Sequence, residues 1–335
     1  MRAARLVAFG DPPVFNVEEV PEPRPGPGEA VVVLRAAALN RRDPWIWTAP
    51  GSCSLPITLG SDGAGTVAAV GEGVIGVAVG DEVVINPTLG WHRGEAVPGP
   101  AFDILGAPTD GTFAERVAVP AENLAPRPAR LTWEEAAALN LGGLTAWRAT
   151  AVCAAAGPGR TVLVTGAGGG VATFAVQIAA ALGARVFVTS SSDEKLARAR
   201  ALAAEGGFRS DDPSWPERVR DAAGGGLDAA VDSVGGPLWP GALRALRRGG
   251  VLVSYGDTAT PDARIEVADV YWEWRSILGT SMGSPEDYDA LLAHVALVSW
   301  TPVVDAVLPL EAIDEAARRL QDPRRFGKVV LSIAA

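Results

Sequence analysis

The chain has 335 residues, of which 48% are hydrophobic, and it carries 29 Lys and Arg against 39 Asp and Glu. The resulting net charge of −10 argues against nucleic acid or an anionic membrane as the main partner. No apolar run reaches the ~18 residues of a membrane helix, and the start is too short and polar for a secretory signal, so we expect a cytoplasmic protein.

The first part of the chain, residues 1–127, reads as a mainly β domain. Valine-rich runs such as AVVVLRAAAL (30–39) and GDEVVI (80–85) are separated by turn residues, which is typical of short strands. Cys53 and Cys153 form neither a C-x-x-C pair nor part of a clustered ligand set, and we expect each to be a small buried thiol.

Residues 128–283 alternate between helix and strand. A helix is predicted from Leu131, where Thr132 and Glu135 form a capping-box pattern. Apolar runs typical of buried parallel strands follow at 161–165, 184–190, 227–234, 249–256 and 276–280. This order predicts a doubly wound α/β domain.

Residues 284–335 have no obvious place in that central sheet. They predict a helix near 285–298, a strand near 303–310, a helix near 311–320 and a final strand near 327–333. We expect them to return to the first domain.

The segment VLVTGAGGGVATFAVQIAAALGARV (162–186) predicts a dinucleotide site. A strand ends at Thr165, glycines turn the chain, and a helix follows with Phe174 and Ile178 on one face. Glycine allows main-chain N–H groups to approach a diphosphate, and the helix N-terminus adds partial positive charge. A tight turn without a ligand is the alternative.

The end of the next strand indicates which nicotinamide cofactor binds. An enzyme that uses NAD usually places an acid there for the ribose 2′-hydroxyl, whereas this chain has Thr189-Ser190-Ser191-Ser192 and then Lys195. Hydroxyls and a cation suit a 2′-phosphate, so NADPH is the predicted cofactor. Alternatively, Lys195 simply belongs to a solvated helix that a serine caps.

Several blocks in a fixed order carry a resemblance to a known family. They are AAALNRRD (36–43), LGSDGAGTVAAVGEGV (59–74), DGTFAERVAVP (110–120), LGGLTAWRA (141–149), AGGGVATFAVQIA (167–179), TSSSDEKLARA (189–199), VDSVGG (231–236) and FGKVVL (326–331). The chain resembles the medium-chain dehydrogenase/reductase superfamily, in its zinc-independent quinone oxidoreductase-like and enoyl reductase-like branch. The resemblance implies a GroES-like catalytic domain, completed by the C-terminal segment, around a Rossmann domain.

The resemblance also allows the metal ligands of the zinc members to be checked. Their three catalytic ligands align with Asn40, Ser61 and Leu141, none of which is a thiolate, imidazole or carboxylate. Asp43 and Asp62 could each supply an oxygen, but two carboxylates are a poor set. The region of the second, structural zinc (86–111) contains no cysteine. We therefore predict no metal.

Carried over position by position, the resemblance implies a set of site residues. Asn40 and Asp43 would frame the substrate side of a cleft, and Thr145 would touch the nicotinamide. Trp45 and Trp47, where related quinone reductases often carry tyrosine, would shape an apolar pocket. The implied cofactor-binding residues are Gly168, Gly169, Gly170, Val171, Ser190, Ser191, Lys195, Ser233, Val234, Gly235, Tyr255, Gly256, Thr280, Ser281 and Lys328.

The predicted function is NADPH-dependent hydride transfer to a small molecule, a quinone or an α,β-unsaturated carbonyl compound. By the same resemblance, the strand near 276–280 and the neighbouring VYWEW (270–274) would pair two copies into a homodimer. The alternatives are a carbonyl or alcohol dehydrogenase and a nucleotide-binding regulatory or scaffold protein. A remote one is an α/β-hydrolase, because GTSMG (279–283) matches a nucleophile elbow around Ser281, with His294 as the only downstream histidine.

Overall fold

The computed structural model describes residues 1–334, which form two compact units. The first unit comprises Met1–Gly142 and the chain from Ser284 onwards, and the second comprises Gly143–Gly283. Residues 128–142 lie in the first unit. The reason is local: the side-chain amide of Asn140 donates to the carbonyl of Gly63, and the main-chain N–H of Leu141 donates to Asp62.

The first part of the chain is mainly strand, as predicted. Its helix, α1 (Arg42–Trp47), lies between the third and fourth strands. The strands are β1 (Arg2–Ala8), β2 (Val14–Glu19), β3 (Glu29–Ala38), β4 (Ile57–Thr58), β5 (Asp62–Val70), β6 (Glu82–Ile85), β7 (Thr88–Leu89), β8 (Asp103–Ile104), β9 (Arg116–Pro120) and β10 (Leu124–Pro126).

The helix predicted from Leu131 is present and capped as expected. It is α2 (Trp133–Trp147), which continues as a π-helical segment over Arg148–Cys153. The main-chain N–H of Thr132 donates to the Glu135 carboxylate, and the N–H of Glu135 donates to the Thr132 hydroxyl, so the capping box is confirmed.

The second unit is built on a six-stranded parallel sheet in the order β13-β12-β11-β14-β15-β16. This is the doubly wound order, and it confirms the predicted fold class. One strand, β13, was not predicted. The elements are β11 (Thr161–Val164), α3 (Gly170–Ala181), β12 (Arg185–Ser190), α4 (Asp193–Ala201), β13 (Gly206–Arg209), α5 (Trp215–Ala222), β14 (Leu227–Asp232), α6 (Trp239–Ala245), β15 (Leu246–Ser254), α7 (Ala268–Tyr271) and β16 (Ser276–Gly279).

The C-terminal segment lies in the first unit. It contains α8 (Pro285–Leu297), β17 (Val304–Pro309), α9 (Ile313–Gln321) and β18 (Lys328–Ser332). Strand β18 pairs antiparallel with β3, and the sheet runs β10-β6-β5-β3-β18-β17 with β9 also on β3. The final strand therefore lies between β3 and β17, inside the sheet.

The two tryptophans of α1 have different surroundings. Trp47 is fully buried in the core of the first unit, where its ring meets Phe15 edge-on with 6.0 Å between centroids. Trp45 is 48% exposed. The expectation that both tryptophans shape an apolar pocket is therefore wrong for Trp47, because its ring is buried in the core.

Candidate active site

A buried polar cluster lies where three neighbouring strands of the first unit meet. Asp62 begins β5 and pairs in register with Ala38, the last residue of β3; Asn40 follows that strand end, and Lys328 begins β18 on the other side of β3. The antiparallel pairings thus join residues that are far apart in the sequence.

Lys328 lies at the centre of this cluster. Its Nζ donates to Oδ1 of Asn40 and, over 2.8 Å, to Oδ2 of Asp62. Asn40 Nδ2 donates to the same carboxylate oxygen over 2.9 Å, so the three side chains form a closed triangle. Lys328 is 3%, Asn40 5% and Asp62 0% exposed. The sequence had assigned Lys328 to the cofactor, and this contact with Asn40 and Asp62 was not anticipated.

A second cation lies beside Ser61. The Arg42 guanidinium donates to Ser61 Oγ over 2.9 Å and to the carbonyl of Leu105 over 3.1 Å, while Ser61 Oγ itself donates to that carbonyl over 2.7 Å. Burial lowers the pKa of Arg42, and neighbouring carboxylates, Asp43 first, oppose that shift. The short Ser61 side chain is therefore held by a guanidinium.

Asp43 is a buried carboxyl with one unsatisfied oxygen. Its Oδ2 accepts from the main-chain N–H of Asn40 over 2.7 Å, whereas its Oδ1 has no hydrogen-bond partner among residues 1–334. Burial raises the pKa of Asp43 from 3.8 to about 6, although the bond from Asn40 and the charge of Arg42 act in the opposite direction.

An outer layer fixes the carboxylate of Asp62 from the other side. The main-chain N–H of Leu141 donates to Asp62 Oδ1 over 2.7 Å. The preceding residue, Asn140, accepts at its Oδ1 from the Tyr288 hydroxyl over 2.7 Å. Burial raises the pKa of the Tyr288 phenol well above its usual range. Both carboxylate oxygens of Asp62 are therefore held, and Asn140 and Tyr288 were not identified from the sequence.

The donors of this cluster do not fit a zinc ion. The positions that the resemblance equates with the zinc ligands hold an amide, a hydroxyl and Leu141. Of the two neighbouring carboxyl groups, Asp62 is already bound to an ammonium, and Asp43 accepts from the main-chain N–H of Asn40. A divalent cation would have to displace Lys328 and would still lack thiolate or imidazole. Across the described residues, no three His, Cys, Asp or Glu side chains lie close enough together to hold a metal ion.

In the second unit, the glycine turn has the geometry of a phosphate-binding loop. Gly166 and Gly168 have φ of +65° and +100°, and α3 begins at Gly170 after the extended Gly169. A Cβ on Gly166 would lie 2.9 Å from the side chain of Val234. Main-chain N–H groups at the start of α3 are thus open to an anion.

Asp232 organises the neighbouring VDSVGG turn. It is fully buried and accepts from the Thr165 hydroxyl, from the main-chain N–H of Gly235 over 2.9 Å and from the indole N–H of Trp239 over 2.9 Å. Because Thr165 precedes the glycine turn, one carboxylate ties the predicted residues Ser233, Val234 and Gly235 to it. The sequence analysis missed Asp232.

A cavity of about 580 Å³ opens at the end of β12 in the second unit. The predicted residues Ser190, Ser191 and Lys195 line it, together with Asp211 and a second cation, Arg244 of α6. Asp211 pairs with Arg209, so its charge is already compensated. Arg244, which the sequence analysis missed, lies on a different helix, and its guanidinium is 3.9 Å from the carboxylate of Glu217.

The remaining predicted cofactor residues follow the ends of β15 and β16. Tyr255 and Gly256 follow β15, and burial raises the pKa of the Tyr255 phenol. Thr280 and the exposed Ser281 follow β16, and Thr280 Oγ1 is buried with no partner within residues 1–334. The open glycine turn, the cationic cavity and this unpaired hydroxyl fit a dinucleotide. Thr145 is buried in α2, and its predicted contact with the nicotinamide stays a prediction.

Comparisons with known proteins agree with both units. Residues 26–129 match the alcohol dehydrogenase GroES-like domain, and residues 170–296 match the zinc-binding dehydrogenase family. No helix within residues 1–334 is long and apolar enough to cross a membrane.

Full-length relatives extend this likeness over the whole chain. The zinc-type alcohol dehydrogenase-like protein YogA of Leptosphaeria maculans is 33% identical over 95% of this chain and 94% of its own. A crystal structure of an NAD-dependent alcohol dehydrogenase superposes with a TM-score of 0.93 at 43% identity, covering all of both chains. The 2-octenoyl-CoA carboxylase reductase CinF, solved with NADP and 2-octenoyl-CoA, gives a TM-score of 0.90 at 26% identity over 99% of this chain and 87% of its own. With a GroES-like and a Rossmann-type domain in this order, the chain belongs to the medium-chain dehydrogenase/reductase superfamily.

Proposed function

We propose that the protein is a zinc-independent, NADPH-dependent oxidoreductase that reduces α,β-unsaturated carbonyl compounds or quinones. The observation that carries this proposal is the Lys328–Asn40–Asp62 triangle, in which an ammonium occupies the polar centre of the catalytic unit. Zinc in alcohol dehydrogenases acts as a Lewis acid on oxygen. Without it, acceptors with an already polarised double bond are the suitable substrates.

The relatives support this class of acceptor without fixing it. 2-Octenoyl-CoA, bound to the CinF structure, is an α,β-unsaturated thioester, whereas the relative at 43% identity is named as an alcohol dehydrogenase. The polar cluster supplies hydrogen-bond donors, which suit an acceptor whose oxygen gains negative charge. They suit an alcohol less well, because an alcohol must lose a proton before it can give up hydride. Bound NADPH would supply the hydride.

The choice of NADPH over NADH rests on the cavity at the end of β12. Ser190 and Ser191 stand where an enzyme that uses NAD usually has an acid, and Lys195 and Arg244 line the same cavity from two helices. The carboxylate in the lining, Asp211, pairs with Arg209. Two cations and two hydroxyls suit a phosphate dianion. We expect Arg244→Ala to raise KM for NADPH about tenfold, the equivalent of ~1.4 kcal/mol, and to leave KM for NADH unchanged. Arg248→Ala, an exposed arginine outside the cavity, is the matched control.

We also propose that two copies pair along β16. This strand is the outermost of its sheet, and the residues before it expose large aromatic surfaces, with Trp272 at 69% and Trp274 at 72%. An open strand edge beside exposed tryptophans is a surface that favours association with another chain. A homodimer would cover both. Cys53 and Cys153 are half-buried and form no disulfide, which is consistent with a cytoplasmic protein.

The test is a spectrophotometric screen of NADPH and NADH oxidation against quinones, enones, enoyl thioesters, aldehydes and ketones, with and without a chelator. We expect turnover of an enone or quinone that the chelator does not change. Chelator-sensitive alcohol oxidation, or stoichiometric zinc in active protein, would contradict the zinc-independent proposal. Nucleotide binding in calorimetry without turnover of any acceptor would identify a nucleotide-binding regulatory or scaffold protein instead. No association with either nucleotide would contradict the proposal.

A further inference from the structure

The side chain of Lys328 is a buried ammonium group, and within the described residues it is the one cation that contacts both Asn40 and Asp62. Asn40 and Asp62 leave Lys328 with two of its three N–H donors engaged, and the structure of residues 1–334 shows no partner for the third. Asn40, Ser61 and Leu141 are the positions that zinc members use for ligands. A charge of the same sign as a metal therefore lies at the place where the family's metal chemistry would be done.

We propose that Lys328 is the electrophilic group of the reaction, and that its third N–H donates to the carbonyl oxygen of the substrate. This inference rests on the proposed function and deepens it, because it names the group that replaces the metal. It also differs from the role in cofactor binding that the sequence suggested for Lys328.

The surroundings of Lys328 make it a fixed donor. Asp62 cannot rotate freely, because Leu141 holds its Oδ1 and Asn40 shares its Oδ2. The ammonium is 3% exposed, so water screens its charge weakly. A preoriented donor in a site with little water stabilises a developing oxyanion without first having to reorganise.

The reaction balances with water and the reduced cofactor as the other reactants. The β-carbon of the enone receives a hydride, the π pair of the C=C bond moves to join the α-carbon to the carbonyl carbon, and the C=O π pair moves onto oxygen. The enolate oxygen accepts the N–H of Lys328, which keeps its proton. The α-carbon then takes a proton from water, giving the saturated carbonyl compound, hydroxide and oxidised cofactor.

Steady-state kinetics separates this role from cofactor binding. Lys328→Met should lower kcat by about a hundredfold to a thousandfold with KM for NADPH within a factor of about two, as expected for loss of an oxyanion donor. Lys328→Arg, which keeps a cationic donor, should recover part of the loss. Lys195→Met, at the predicted phosphate site, should instead raise KM for NADPH. A Lys328→Met enzyme with unchanged kcat, or with only a raised KM for NADPH, would overturn the inference.

A second measurement does not depend on turnover, because Lys195 and Lys328 are the only lysines in the chain. Labelling lysine Nζ with nitrogen-15 therefore gives two signals, which Lys195→Met and Lys328→Met assign. Oxidised NADP should shift the Lys195 signal, and subsequent addition of cyclohexanone, a saturated ketone, should shift that of Lys328. A Lys328 signal that responds to NADP alone, or to neither addition, would overturn the inference.

The two lysines also distinguish failure of the inference from failure of the proposed function. If Lys195 responds to NADP and enones are reduced while Lys328 stays silent, only the inference fails. If Lys195 does not respond and no acceptor is reduced, the proposed function fails. Should Lys328→Met not fold because Asp62 is left alone, the double change Asp62→Asn with Lys328→Met removes both charges. Its kcat should be as low as that of the single variant, and wild-type kcat would overturn the inference.

Discussion

The carboxyl of Asp43 should make the protein less stable as pH rises from about 4 to about 6. Burial raises its pKa from 3.8 to about 6, and its Oδ1 has no partner within the described residues to stabilise the ionised form. The folded protein therefore keeps a proton on Asp43 up to about pH 6, whereas the unfolded chain loses it near the ordinary value. Where the folded state binds more protons, stability falls with rising pH.

The size of the effect follows from the shift. About two pKa units at about 1.4 kcal/mol each give about 3 kcal/mol, present in full below the unfolded pKa and lost above the folded one. Ion-paired carboxylates whose pKa is lowered, such as Asp322 and Glu115, act in the opposite direction, so the total pH profile mixes both signs. A variant that removes only Asp43 isolates its share.

Asp43→Asn provides this isolation, because an amide oxygen can still accept the N–H of Asn40. The free energy of unfolding of wild type and variant is measured by urea titration with tryptophan fluorescence. The value for the variant, relative to wild type, should rise by about 3 kcal/mol between about pH 4 and about pH 8. Asp314→Asn, an exposed aspartate in the same unit, should give no such trend. A constant difference between Asp43→Asn and wild type across this range would refute the reasoning.

Three further sets of variants test other parts of the structure. Asp62→Asn and Lys328→Met should each lower the free energy of unfolding by about 3–5 kcal/mol, because each leaves a buried charge without its partner. The double variant should lose less than the sum of these two values. Urea unfolding of wild type, both single variants and the double variant checks this, and additive losses would contradict it. Gly166→Ala, at φ +65°, should weaken NADP binding by about tenfold in calorimetry, and unchanged affinity would argue against the turn as the phosphate site. Trp272→Glu should convert the proposed dimer to a monomer in light scattering, and a monomeric wild type would count against the dimer.

The order of elements could be predicted because the apolar runs are long and their spacing changes at Leu131. The strand that escaped prediction, β13, has the sequence GGFR: two glycines in four residues, at the edge of the sheet, give neither a hydrophobic run nor an alternating pattern. The boundary at Gly142 was also out of reach, because it depends on hydrogen bonds from Asn140 and Leu141 to strand β5.

The polar cluster was harder to foresee than the fold. Asn40, Asp62 and Lys328 were each noticed, but their contact depends on two antiparallel pairings between strands far apart in the chain. One signal was available: a lysine at the start of the apolar strand KVVLS needs a buried partner. Arg244 gave no such signal, because only the packing of α6 brings it to the cavity.

The charges of the cluster indicate the direction of its chemistry. Lys328 and Arg42 bring two positive charges, and Asp62 brings one negative charge that is already hydrogen-bonded to Lys328, Asn40 and Leu141. Asp43, whose pKa burial raises to about 6, brings a second negative charge above that pH. An ammonium held in this way can donate to an oxygen that gains charge, as a carbonyl does when its conjugated carbon takes hydride. It cannot do what a Lewis-acidic metal does for an alcohol, which is to bind the oxygen directly and lower the pKa of its proton. These charges therefore support the proposed reduction of a polarised double bond rather than the oxidation of an alcohol, although relatives named for both activities occur.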